Sequence, residues 1–356
     1  MQKIIATFIL SLMLIPVKAD QTVSEIPLAD PYILLEDGIY YAYGTNAANG
    51  IQVWFSRNLK EWAYKGLALN KVNTTETQWF WAPEVYHKND KYYMYYSANE
   101  HLYVATADSP FGPFKQVGSY QMETMLGDEK CIDSHVFFDD DGTAYIFFVR
   151  FNNGNCIWKV QLEEDLITPI PSTLRQCIIA TEGWETILGK VAEGPNVIKY
   201  NGKYYLTYSA NDYQSQDYAV GYATATSMSS RAWSKYSGNP IVKRVENLVG
   251  TGHHSLFTDK EGKLRIVFHA HNSTTAIHPR MMYIGTMEFV DNVLTLTDEP
   301  IIRPVMVDAS GIEQTTAEDA VEVERYNALG QRIEKKEKGL NIVKMSDNSV
   351  VKTIVR

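Results

Sequence analysis

Three carboxylic acids, Asp30, Asp133 and Glu193, stand at almost the same place in three of five copies of one sequence pattern. The copies are ADPYILLEDGIYYAYGT (29–45), WAPEVYHKNDKYYMYYSA (81–98), CIDSHVFFDDDGTAYIFFVR (131–150), AEGPNVIKYNGKYYLTYSA (192–210) and GHHSLFTDKEGKLRIVFHA (252–270). Laid over one another, they put Asp30, Ala82, Asp133, Gly194 and His253 in one column, with Glu193 one residue ahead of it. Carboxyls crowded at one point repel, and burial adds to the repulsion. At least one of them is then held protonated near neutral pH. A protonated carboxyl working beside an ionised one is what glycoside hydrolysis needs.

The elements that must bring these acids together are read from the same copies. Each copy is an apolar run, a polar turn of Asp, Asn, Gly or Lys, and an aromatic-rich run, the pattern of a tight β-hairpin. Two more strand-like stretches follow each hairpin: IQVWFSRNLKEW (51–62), HLYVATADSPFGPF (101–114), CIWKVQLEEDL (156–166), YAVGYATATSMSSRAW (218–233) and MMYIGTMEFVDNVLTL (281–296). Four strands per unit, repeated at a spacing of roughly 50–60 residues, predict an all-β propeller whose first strands line a central channel. Residues far apart in the chain but matched in the column then converge at the channel mouth. Two longer loops, 71–80 with Trp79-Phe80-Trp81 and 175–192 with Trp184, are placed to wall a ligand site. Trp54, Trp62 and Trp158 fall in strand patterns and read as core. Asp139-Asp140-Asp141-Gly142 lacks the spacing of a calcium loop and reads as a hairpin turn.

Composition narrows the partners. A net charge of −9 without a basic cluster argues against nucleic acid. The 23 Tyr and 7 Trp offer flat apolar faces with polar edges, which suit sugars. Residues 1–19 carry a lysine, an apolar run and a small-residue site ending at Ala19, and so read as a signal peptide. Lys18 and Asp20 close the run before it could serve as a membrane anchor, so the expected product is exported, periplasmic or extracellular, with no membrane contact after cleavage. Cys131, Cys156 and Cys177 are an odd set without metal or redox spacing, leaving at least one free thiol and room for a single disulfide. Residues 20–305 form the expected propeller, and 306–356 a polar linker with a small C-terminal β segment. The number of subunits is not readable.

The motifs ADPYI, FWAPEV, CIDSHVFFDDDG and EGPNV resemble those of family 43 glycoside hydrolases across about residues 25–305. The resemblance implies a five-bladed β-propeller with a short C-terminal β tail and no organic cofactor. It implies that Asp30 is the general base, Glu193 the general acid, and Asp133 the residue that tunes and orients the acid, with inversion at the anomeric carbon. It places Phe80, Trp81 and Glu84 at the substrate, and makes Arg280 an arginine that reaches the acids and the sugar. A fixed cation there is expected to keep Asp133 ionised. His253 is implied to face the channel where relatives hold a hydrated calcium ion, although one histidine does not make a calcium site. The expected reaction is the exo-acting removal of terminal α-L-arabinofuranosyl residues from plant cell-wall polysaccharide. β-Xylosidase, endo-arabinanase and β-galactosidase action stand beside it. A carbohydrate-binding propeller without turnover would lack one of the acids, and none is lacking. A protein-interaction propeller would not show the acid column.

Overall fold

In the computed structural model, residues 24–45, 47–230, 233–309, 322–328, 330–345 and 350–355 are described. The predicted signal peptide and most of the predicted linker lie outside them. No helix among the described residues is long and apolar enough to cross a membrane.

The chain folds as a five-bladed β-propeller. Blade I holds β1 (Ala29–Glu36), β2 (Ile39–Thr45), β3 (Gly50–Ser56) and β4 (Glu61–Asn70). Blade II holds β5 (Trp81–Lys88), β6 (Lys91–Ala98), β7 (His101–Ala107) and β8 (Lys115–Val117). Blade III holds β9 (Cys131–Phe138), β10 (Ala144–Arg150), β11 (Cys156–Gln161) and β12 (Arg175–Ile179). Blade IV holds β13 (Glu193–Tyr200), β14 (Lys203–Ala210), β15 (Ala219–Ala225) and β16 (Ser234–Lys235). Blade V holds β17 (Gly252–Thr258), β18 (Leu264–Ala270), β19 (Met281–Val290) and β20 (Val293–Leu296). The first strands touch in the cycle β1, β5, β9, β13, β17 and back to β1. Each first strand is the inner edge of its own sheet, and the ring shelters these short edges around the channel.

Local chemistry sets the hairpins. Blades I, II and IV join their first two strands through two-residue turns, Asp37-Gly38, Asn89-Asp90 and Asn201-Gly202, with both residues at positive φ. This is the backbone that a right-twisted hairpin demands and that Asn, Asp and Gly tolerate. Blades III and V use five-residue turns containing Gly142 and Gly262. Asp139 accepts from Lys199 and Tyr204 there, so the acidic triplet is a structural turn as expected.

The ring is closed at blade I. Val305–Met306 (β21) pairs in parallel with β4, Glu25 bridges to Val305, and the Met282 amide donates to the Ile26 carbonyl. Ile26 and Leu28 are buried with Trp54 and Trp62 against Val267, Met282 and Ile284 of blade V. Burying that much aliphatic and aromatic surface makes the closure strong, at roughly 1.5–3 kcal/mol per large side chain. Trp158, the third predicted core tryptophan, is half-buried beneath the Arg150 guanidinium, 4.3 Å from its ring. All three cysteines are free thiols. β22 (Glu322–Asn327), β23 (Gly339–Met345) and β24 (Val350–Val355) form a separate three-stranded antiparallel sheet, pinned by Arg325 to Glu322 and Asn341.

Candidate active site

The column read from sequence is a structural column. Asp30, Ala82, Asp133, Gly194 and His253 all adopt left-handed backbone, with φ of 49°, 42°, 57°, 53° and 42°. Each sits in a bulge where the pairing of a first strand shifts register. Such a conformation is strained for anything but glycine, and the bulge re-aims the side chain and the amide toward the channel.

The amide freed by each bulge finds an acceptor on the preceding blade. Ala82 donates to Thr45 Oγ1 (3.1 Å), Asp133 to Ser97 Oγ (3.0 Å) and His253 to Ser209 Oγ (2.8 Å). Thr45, Ser97 and Ser209 occupy equivalent registers near the ends of second strands. At the same register blade III has Val149 and blade V has His269. The Gly194 amide therefore donates to the Asp133 carboxylate (Oδ2, 3.2 Å), and the Asp30 amide to His269 Nδ1 (3.2 Å).

These contacts set the charges of the acids. Asp30, Asp133 and Glu193 are buried to nearly the same degree, at 7 %, 5 % and 8 % exposure. Asp30 is gripped at both oxygens by Arg280, Nη1 to Oδ1 at 2.7 Å and Nη2 to Oδ2 at 3.3 Å, and accepts from the Thr45 hydroxyl at 2.5 Å. Burial pulls its pKa upward, but the guanidinium and the neighbouring imidazoles outweigh it and hold the carboxyl well below its usual range. Asp133 has no such cation; burial first, then the charges of Glu193 and Asp30, push it well above the carboxylate range. Glu193 is pushed up to about 7, chiefly by burial, although Tyr218 (OH to Oε1, 2.8 Å) and Asn155 (Nδ2 to Oε2, 3.0 Å) donate to it and pull the other way. The arginine expected to keep Asp133 ionised grips Asp30 instead, because β19 begins one residue beyond Arg280 and delivers it to the blade I side. His253 Nδ1 lies 3.4 Å from Asp30 and 3.9 Å from Asp133; burial lowers its pKa, and the Asp30 carboxylate pulls the other way.

Above the acids opens a cleft of about 670 Å³. Its two sides differ. Trp79, Phe80, Trp81, Ile132 and Phe151 line the side of blades II and III, whereas Arg280, Tyr213, His278 and Asp212 line the side of blades IV and V. Phe80 is buried against Tyr96, so its role there is mainly to support the wall.

Two predicted substrate residues stand elsewhere. Glu84 lies below the acids, where its carboxylate accepts from His135 Nδ1 (2.9 Å) and from the Tyr86 hydroxyl. His135 Nε2 takes the Val197 amide (2.9 Å), which places the ring proton on Nδ1 and locks Glu84 into the channel wall. Trp184 packs on Tyr208 (5.7 Å between ring centroids) and over Gly221, where a β-carbon would come within 2.7 Å of the indole. Its loop is drawn inward by the fully buried Glu185, which accepts from Lys235, Tyr208 and the amides of Thr181 and Glu182. Asn155, Tyr218 and His269 are site residues that the sequence reading missed. His269 alone had a signal, since FHA replaces YSA in the fifth copy.

For calcium, the channel below the acids offers a cavity of about 10 Å³, room for about one water. Among the described residues no three His, Cys, Asp or Glu side chains converge as a metal site. Glu84 is already engaged by His135 and Tyr86, so a hydrated ion beside His253 would take its oxygens mainly from water.

One carboxyl held down and one held up to about 7, both lining an aromatic cleft, suit glycoside hydrolysis. The chain belongs to glycosyl hydrolases family 43, whose model matches residues 20–312. A solved structure described as an endo-1,4-β-xylanase from Bacteroides thetaiotaomicron is 43% identical, with a TM-score of 0.76 over 81% of this chain and 99% of that one. A β-D-galactofuranosidase of Aspergillus niger is 28% identical over 81% of this chain and 85% of its own. A β-xylosidase of Xylanibacter ruminicola is 29% identical over 63% of this chain and 76% of its own.

Proposed function

We propose that the protein is an exported, inverting hydrolase that removes terminal pentosyl groups from plant cell-wall polysaccharide, with α-L-arabinofuranosyl as the leading candidate. The observation that carries this reading is the opposite pKa shift of two equally buried acids: Asp30 held ionised by Arg280, and Glu193 held up to about 7. The Asp30 carboxylate takes a proton from a water as its oxygen bonds to the anomeric carbon. The bond from that carbon to the bridging oxygen breaks, and the proton of Glu193 passes to the departing oxygen. Solvent then returns one proton to Glu193 and removes one from Asp30. Asp133, bonded to the amide of Gly194, fixes the backbone from which Glu193 projects. A β-xylosyl group is the second reading, favoured by the relatives described as a xylanase and a xylosidase.

The test is sugar release from arabinan, arabinoxylan and xylan, with NMR of the first-formed anomer. Inversion is expected, and a retained anomer would sink the mechanism. Asp30→Ala and Glu193→Ala should each cost about 10²–10⁴-fold in kcat/KM on polysaccharide. Wild-type rates in either variant on every responsive glycoside would show that the roles are misassigned. The profile of kcat/KM against pH should fall above about 7, where Glu193 loses its proton, and its acid limb should lie below the usual Asp range.

A further inference from the structure

Trp79 combines three properties that a tryptophan seldom combines. It is 47 % exposed, its backbone is left-handed (φ 59°), and its ring lies nearly parallel to that of Trp81, 5.8 Å away at 15°. Positive φ is an outlier for a bulky side chain and is kept where the surroundings enforce it, often at binding sites. One face of the indole is covered by Trp81, and the ring lines the cleft above the acids. Phe151 also lines that cleft and is 41 % exposed. It lies on the β10–β11 loop that ends in Asn155, the residue that donates to Glu193. Glu193 protonates the departing oxygen, so the loop carrying Phe151 belongs to the leaving-group side of the bond being cut. A cleft of about 670 Å³ is within the range of sites that enclose whole ligands and exceeds the needs of one pentose.

We infer that Trp79 and Phe151 form a subsite for the sugar on the leaving-group side, so that the enzyme recognises at least two linked rings rather than a single glycosyl group. A pyranose or furanose ring presents an apolar face of C–H groups, which an indole backed by a second indole receives without rearrangement. The inference rests on the hydrolase reading for the direction of the chain, and binding tests it separately from turnover.

The experiment uses the full chain carrying Glu193→Gln, titrated with α-1,5-arabinotriose and β-1,4-xylotriose, and with arabinose and xylose, by calorimetry. At least one trisaccharide should bind roughly tenfold or more tighter than its monosaccharide, as a stacked second ring implies. Adding Trp79→Ala should erase that preference, and Trp79→Phe should keep most of it. Phe151→Ala should reduce it and serves if the tryptophan variant does not fold. A preference that survives both alanine variants overturns the subsite, as does a protein that binds neither trisaccharide better than the monosaccharide. Tight trisaccharide binding that depends on Trp79, in a wild-type chain that releases no sugar, would uphold the subsite while refuting the hydrolase reading.

Discussion

Two of the five joints between blades depart from the pattern of the others, and they depart in opposite electrical directions. At three joints a Thr or Ser hydroxyl takes the amide of the next bulge. At the joint from blade V to blade I the acceptor is His269, and Arg280 clamps the Asp30 carboxylate beside it. At the joint from blade III to blade IV the acceptor is the carboxylate of Asp133 itself, with no cation on it. The acids at both joints are equally buried, so burial cannot be what separates them. One guanidinium keeps Asp30 ionised, and its absence lets Asp133 and Glu193 lean toward the protonated form. The repeat builds the frame, and the places where it lapses carry the chemistry.

Removing the cation breaks the comparison most directly. Arg280→Met leaves Asp30 buried with Thr45 and His269 but no counter-charge, so its pKa should climb into or above the ordinary Asp range. We expect a loss of about 10²–10³-fold in kcat/KM near pH 6, since an unpaired buried carboxyl gives up its charge. The acid limb of the pH profile should move upward. A uniform loss with an unmoved limb would mean that Arg280 binds sugar without setting the charge of Asp30. Stability should respond too. Asp30 has a depressed pKa in the folded chain, so its contribution is present above about 4 and is lost as pH falls through the folded value. The wild-type chain should therefore lose stability in acid below about pH 4, and Arg280→Met should lose less over that interval.

Glu193 gives the reverse sign at the other joint. Its pKa is raised from 4.5 to about 7, so stability attached to its protonated form is full below about 4.5 and is lost as pH rises to about 7. A fully buried group with that shift costs about 3 kcal/mol at pH 8. Glu193→Gln should remove this slope, leaving an inactive protein that is more stable than wild type at pH 8 by up to that amount, as urea unfolding at pH 4.5 and pH 8 would show. Equal stability changes at both pH values would mean that the acid is not held protonated by its site.

The frame was legible in the sequence, and of the charges the one read the wrong way was that of Asp133, which is pushed up and not held ionised. Hairpin spacing and the aligned column gave five blades and located Asp30, Asp133, Glu193 and His253, because a bulge at a fixed register leaves a period that can be read. Arg280 was found as a site residue but assigned to the wrong acid, since its partner depends on how blade V approaches blade I. Trp184 and Glu84 were misplaced for a related reason. An aromatic in a long loop and an acid beside a motif carry no sign of which neighbours will claim them, here Tyr208 for one and His135 for the other. Asn155 and Tyr218 left no trace, because each side chain acts on Glu193 through a single hydrogen bond, one made across blades and the other from just ahead of the third strand of blade IV.

Val149 offers the gentlest test of the contrast between joints. It holds the register that Thr45, Ser97 and Ser209 hold elsewhere, and its isopropyl group cannot accept a hydrogen bond. Threonine has nearly the same shape and restores the hydroxyl of the repeat. In Val149→Thr the Gly194 amide gains a neutral acceptor in competition with Asp133. Asp133 then loses a donor that had partly offset the rise in its pKa, and the strand start carrying Glu193 is less firmly tied to it. A neutral hydrogen bond is worth roughly 0.5–1.5 kcal/mol, so kcat should fall by about two- to tenfold. KM should change less than kcat, because the cleft aromatics are untouched. Val149→Ala, which shortens the side chain without supplying a hydroxyl, separates the two causes: if it lowers kcat as much as threonine does, packing at the joint and not the competing acceptor is responsible.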